Sequence, residues 1–230
     1  MANSPARMQS QTDAPCVLTP AGLEALIKLL RRRGYRLIGP RVRDGAIVYD
    51  EMEDVNELPV GWTDVQEPGR YRLERRDDDA VFGYAVGPHA WKQFLHPPLQ
   101  TQWRARRQGA NVTVQSEAPQ TERFAFLGVR ACELAAISVQ DRVFMDGPYL
   151  DRQYAARRRS ALFIAVNCGV ASTSCFCTSM NTGPRVSAGY ELALTELIDA
   201  QGRRYLADAG SPAGSEIRTA LPQARAPTAD

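Results

Sequence analysis

No apolar segment opens this 230-residue chain; residues 1–15 are polar and irregular, so no secretory signal is expected. Hydrophobic runs of membrane-spanning length are also missing. The longest clean one, Ala161–Val166, falls far short of the roughly 20 residues a bilayer needs. Charge of one sign is lacking too: 28 Lys and Arg against 26 Asp and Glu leave +2, which gives no electrostatic case for nucleic acid or an anionic membrane. The triplets Arg31–Arg33 and Arg157–Arg159 read most simply as solvated helix ends. Histidine is scarce, and neither His89 nor His96 sits beside a Ser or Cys nucleophile in the sequence. There is no Walker loop, no G-x-G-x-x-G and no repeat at solenoid spacing, so no nucleotide site or solenoid is predicted. A reducing, cytoplasmic location is the expectation. Disulfides are rare there, and clustered cysteines hold metals or do redox work.

What is present fits one compact domain, expected over residues 18–210 between a flexible tail at 1–17 and a polar tail at 211–230. Thr19 and Pro20 mark a helix start, Leu23, Leu26, Ile27 and Leu30 supply its apolar face, and Gly34 ends it. Short strands are predicted near Tyr35–Ile38, Ala46–Tyr49, Tyr71–Glu74 and Val81–Ala85, then a short helix before Pro97. A strand pair is predicted near Gln100–Arg106 and Asn111–Gln115, and the three tryptophans, Trp62, Trp91 and Trp103, are expected in the core. The segments beginning Phe124 and Ala161 are continuous apolar runs, as in strands buried on both faces, and two helical patterns lie between them. The predicted fold is therefore mixed α/β, with a right-handed parallel strand–helix–strand unit at about 123–167 and antiparallel strands elsewhere. Residues from Gly189 alternate as a strand that turns near Ala200 and returns through Arg204–Ala207.

Four of the five cysteines fall in this second half. Cys132 follows the first buried strand and Cys168 the second; Cys175 and Cys177 come next in a Gly/Ser/Thr-rich loop. In a parallel unit both strand ends lie on one edge of the sheet, where such folds place ligands. The spacing C-x35-C-x6-C-x-C would let four thiolates converge, and their mutual repulsion calls for a cation or cluster. A [4Fe–4S] cluster and a structural zinc ion both accept four thiolates. The missing C-x2–4-C knuckles favour iron–sulfur. Buried core thiols at 132 and 168, or a thiol redox pair at 175 and 177, are the other readings. Arg130 would offset cluster charge, or pair with Glu133 at the surface. Gly169 and Gly183 would let amides approach sulfur, or serve ordinary turns; Phe176 would screen the cluster, or pack in the core. Cys16, in the tail, is expected to be incidental.

The segments Phe126-Leu-Gly-Val-Arg-Ala-Cys-Glu-Leu-Ala-Ala-Ile, Val166-Asn-Cys, Cys175-Phe-Cys-Thr-Ser-Met, Gly183-Pro and Gly189-Tyr-Glu-Leu-Ala-Leu-Thr-Glu-Leu resemble a family of iron–sulfur electron-transfer subunits. It includes the beta subunit of cytosolic sulfhydrogenases and the corresponding iron–sulfur subunit of anaerobic sulfite reductase. The resemblance runs over roughly residues 18–210. It implies a cubane bound by Cys132, Cys168, Cys175 and Cys177. It also implies two partners, a flavin/NAD(P)H-binding electron-transfer subunit and a catalytic hydrogenase or sulfite reductase subunit. The chain would be an electron-transfer subunit rather than a self-sufficient catalyst. Family members usually continue into a ferredoxin-like region rich in cysteine, yet no cysteine follows Cys177. That region is expected either to be truncated away or to lie on another polypeptide.

Overall fold

The computed structural model describes residues 15–87, 89–119 and 122–221. In chain order the elements are β1 (Cys16–Leu18), α1 (Pro20–Arg32), β2 (Arg36–Arg43), β3 (Ala46–Glu51), a 3-10 turn (Val55–Glu57), β4 (Trp62–Glu67), β5 (Arg70–Arg75) and α2 (Lys92–Leu95). There follow β6 (Trp103–Gln108), β7 (Asn111–Ser116), β8 (Phe124–Val129), α3 (Ala131–Phe144), α4 (Arg152–Ser160), β9 (Leu162–Val166), β10 (Leu192–Asp199), β11 (Gly202–Ala209) and α5 (Pro212–Thr219). Seven strands form one sheet in the order β1-β11-β10-β9-β8-β2-β3; β4-β5 and β6-β7 are separate hairpins. The central pairs β2·β8, β8·β9 and β9·β10 are parallel, and antiparallel strands flank them on both sides. The mixed architecture and its parallel unit are as the sequence predicts.

The continuous apolar runs are explained by cover on both faces. Ala125, Leu127, Leu162, Ile164 and Val166 join one core with the α1 residues Leu23, Leu26, Ile27 and Leu30 and with Ile217 of α5. Phe124, Phe126, Phe163 and Ala165 join a second core with Leu134 and Ile137 of α3 and Tyr154 of α4. Alternate residues of one strand thus feed opposite layers, so no position of β8 or β9 is left for a polar side chain. Helix α1 starts as its sequence dictates: the Thr19 hydroxyl accepts the Gly22 N–H and Pro20 occupies the first turn.

Four expectations need correction. Cys16 and Val17 do not belong to a tail: with Leu18 they pair along β11, and Cys16 is buried. The folded unit likewise runs past residue 210, because Ser211 caps α5 and places Ile217 and Leu221 in the core. The rest of both expected tails, residues 1–14 and 222–230, lies outside the described residues. The segment Val81–Ala85 is buried but is not a strand. Its polar backbone is satisfied by side chains: the Glu196 carboxylate accepts the N–H groups of Val81 and Phe82 at 2.7 and 2.8 Å, and Asp64 accepts that of Ala85. An apolar pattern with backbone partners supplied from elsewhere needs no neighbouring strand. Finally, Trp103 is exposed, unlike Trp91 in the core.

Those buried carboxylates set a pH dependence. Burial pushes the carboxyls of Glu191 and Glu196 above the ordinary range. The folded protein therefore binds more protons than the unfolded chain between the ordinary carboxylate range and these raised values. The contribution is fully present below the unfolded pKa and is lost as pH rises through the folded one. In Glu196→Gln that pH-dependent loss should shrink, measured as the slope of unfolding free energy against pH from about 4 to 8. Removing a charged acceptor of two buried N–H groups should also cost about 1.5–3 kcal/mol. An unchanged slope would remove Glu196 from this role.

Candidate metal centre

β8 and β9 end side by side, and both chain segments that leave them carry cysteine. β8 reaches its end through a bulge: the register skips between Leu127 and Val129, and Gly128 takes a φ of 91°. A side chain there would be strained in that conformation. Arg130 then caps α3, and Cys132 lies in the helix's first turn. Glu133 closes that turn by accepting the Arg130 N–H at 2.8 Å, and the Tyr49 hydroxyl lies 2.8 Å from the same carboxylate oxygen. Burial pushes the Glu133 carboxyl upward, against the opposing pull of the Arg130 N–H and charge and of Tyr49.

Asn167 holds the other side. Its N–H donates to Leu194, its side-chain amide donates to Thr195 at 2.8 Å, and its side-chain oxygen accepts the Val186 N–H at 2.8 Å. Next to it the Cys168 N–H donates to the Pro184 carbonyl at 3.2 Å, closing the neck of the loop that carries Cys175 and Cys177. Inside the loop, Thr182 N–H donates to the Cys177 carbonyl at 2.9 Å, which folds Cys177 back toward Gly183. The outer arm of the loop is held by the β4-β5 hairpin: the Thr173 hydroxyl donates to the Gln66 carbonyl at 2.9 Å, and the Ser174 hydroxyl meets the Gln66 side chain at 3.3 Å.

The result leaves the expected ligands within electrostatic reach of one another, Cys175 of Cys168 included, without closing them into a group. Cys132 and Cys168 each feel the charge of the other thiols, Cys132 from Cys168 and Cys177, Cys168 from Cys177 and Cys175. Burial, then Glu133 and those thiols, push Cys132 up to about 11. Burial also raises Cys168, with Arg130 pulling it down. Such thiols keep their protons until a cation replaces them. Cys175 stands apart: it is exposed, and its sulfur accepts the Ser172 N–H at 3.3 Å. Among the described residues no three His, Cys, Asp or Glu side chains are grouped closely enough to hold a metal ion.

The accompanying residues fare differently. Arg130 is 1% exposed and makes no surface pair with Glu133. Its guanidinium donates to the carbonyls of Phe82 (2.8 Å), Tyr84 (3.0 Å) and Asn167 (3.3 Å), and stacks on the Tyr84 ring. Its Nε has no hydrogen-bond partner among the described residues. Gly183 lies against Cys177: a Cβ there would come within 3.1 Å of the Cys177 sulfur and 3.4 Å of Ala131 Cβ. Gly169 has open space around it, and Phe176 is 69% exposed, so neither closes over the thiols. Tyr49, Glu133, Asn167 and Gln66 were not legible as site residues. The one available signal was Glu133 three positions after Arg130, the spacing of a capping box.

Gly183→Ala tests the packing directly. Its Cβ must displace Cys177 or Ala131, so metal uptake should fall several-fold while the unfolding temperature changes little, the loop being largely exposed. Unchanged uptake would mean that the loop has room to spare.

No protein-family model and no solved structure matches this chain. Across 79% of its length it is 25% identical to the sulfhydrogenase 2 subunit beta of Pyrococcus furiosus. The chain spans less than half of that relative, 44% of its length, and it is similar over this stretch to a subunit of a hydrogenase.

Proposed function

We propose that the chain is an electron-transfer part of a cytoplasmic oxidoreductase complex and that Cys132, Cys168, Cys175 and Cys177 hold a [4Fe–4S] cluster. The observation that carries this reading is a buried arginine whose charge reaches Cys168. A charged guanidinium out of water is costly unless an anion compensates it. Among the described residues the Arg130 guanidinium hydrogen-bonds only to carbonyls, and Cys168 is among the groups whose negative charge it feels. A cluster bound by four thiolates carries net negative charge and would add to the counter-charge that Glu133 provides. The donor set also suits iron, being four cysteines without a histidine. Cys175 has to swing in from its exposed position; among the described residues its loop is tied to the rest of the fold at the neck and at Gln66.

The cluster would supply one-electron chemistry; the protein's part is to fix Cys132 on α3, hold Cys168 just past β9 and Cys177 in the loop, keep a cation close and seal the inner side with the second core. Likeness to a hydrogenase subunit supports a place in a multi-subunit complex; the partners we assign to it are a flavin/NAD(P)H-binding subunit and a catalytic hydrogenase or sulfite reductase subunit. Phe176, 69% exposed on the loop between two ligands, would then meet a partner rather than screen the cluster from inside.

Anaerobic purification with reconstitution should yield about four iron and four sulfide per chain and a paramagnetic signal on reduction. Protein without iron after reconstitution overturns the reading, and stoichiometric zinc with no redox signal replaces it with a structural zinc module.

A further inference from the structure

The hairpin β6-β7 has no core. All twelve strand residues are exposed, whereas an isolated two-stranded ribbon is marginal in water. Its register sorts the side chains. Trp103, Ala105 and Arg107 share one face with Val112, Val114 and Ser116, and Arg104, Arg106 and Gln108 share the other with Asn111, Thr113 and Gln115. Trp103, Val112 and Val114 are each about 60% exposed, so the first face is an apolar strip in water. Three arginines and no Asp or Glu lie between residues 103 and 116. Arg104 pairs with Glu117 at the base, and Arg107 donates to the Gly109 carbonyl. The ribbon is anchored at its base, where Gln102 accepts the Glu117 N–H and Ala118 accepts the Gln153 side chain.

We propose that this hairpin is a docking arm that inserts into a partner protein whose groove has an apolar floor and an acidic rim. The apolar strip needs a dry surface, and the positive charges beside it select acidic side chains on the partner. A second copy of the hairpin is the wrong occupant, because packing the two apolar faces together would bury an Arg107 from each copy, and no Asp or Glu lies on that face to pair it. Nucleic acid is a poorer fit, because phosphates would engage the arginines and leave Val112 and Val114 in water. An inserted ribbon covers both faces, which brings fourteen residues nearer the 20–30 per side of a standard interface. The arm enters β8 at its amino end, whereas the thiols lie beyond its carboxyl end. About 20 Å of strand separates them, so docking leaves the thiol edge free. The inference stands whether or not a cluster is bound.

The test uses amide hydrogen exchange on the full chain, free and in the complex isolated from the cells that make it. Backbone amides of residues 104–107 and 112–115 should exchange at least tenfold more slowly in the complex. Arg106→Glu should weaken the complex at least tenfold at low salt and flatten its salt dependence; Trp103→Ser should weaken it without that change. Both variants should keep the unfolding temperature of the parent, since the arm buries nothing. Equal exchange of the arm in the free chain and the complex overturns the proposal. So does equal protection in the chain alone at high concentration, or on a 20-base-pair DNA duplex.

Discussion

Under the proposed ligand assignment, Cys168→Ser should leave the reconstituted chain nearly free of iron. Anaerobically reconstituted Cys132→Ser, Cys168→Ser and Cys177→Ser proteins should each hold less than about a tenth of the parent's cluster, read as iron per chain and visible absorbance. The reason is placement. Cys132 is fixed by the first turn of α3, Cys168 by its N–H bond to Pro184, and Cys177 by the fold of Thr182 and Gly183 beneath it. Cys175→Ser should be milder, converting the cluster to a form with one iron less securely held, because its ligand reaches in from the exposed loop. Cys16→Ala is the control. Its sulfur is buried against β11, so the change should cost about 1 kcal/mol of stability and leave the iron content untouched. Equal iron in all five variants would refute the ligand assignment. The unfolding temperature of the metal-free proteins separates ligand loss from misfolding.

The second large effect belongs to Arg130. Arg130→Met removes a charge and leaves three inward-facing carbonyls, those of Phe82, Tyr84 and Asn167, without their donor. Unsatisfied buried acceptors cost about 1–3 kcal/mol each when their partner is lost, so the metal-free fold should be destabilised by several kcal/mol. The electrostatic consequence has a separate readout. A positive charge near the cluster favours its reduced form; its loss should lower the reduction potential by roughly 40–90 mV, the equivalent of about 1–2 kcal/mol for one electron. Arg130→Lys keeps the charge but loses the planar fork. It should recover most of the potential and little of the stability. A potential unmoved in both variants would reduce Arg130 to a structural clamp.

The contrast between Arg130 and Gly183 illustrates what can be read in advance. Gly183 was legible as a glycine near clustered cysteines, though an ordinary turn explained it as well, and a Cβ there would press on the Cys177 sulfur at 3.1 Å. Arg130 was legible as a charge near the thiols but not as a buried one. An arginine between a strand and a helix is ordinarily solvated, and nothing local announces that Phe82 and Tyr84, almost fifty residues earlier, supply its acceptors. The irregular segment Val81–Ala85 hides the same relationship from the other side. Its apolar pattern reads as a strand because the groups that satisfy its backbone, Glu196, Asp64 and Arg130, are remote in sequence.

Local pattern by itself determined the capped helix α1, the doubly buried strands β8 and β9, the hairpin of β10 and β11, and the placement of Cys132 and Cys168 just past two parallel strand ends. Those features follow from side-chain periodicity and from the handedness of strand crossovers, which act over a few residues or one connection. Only the tertiary structure decided that Cys16 joins the sheet, that Arg130 is buried among carbonyls, and that Gln66 and Asn167 hold the cysteine loop. Each of these depends on a partner 19 to more than 190 positions away, and hydrogen-bond complementarity at that separation leaves no periodic trace in either segment.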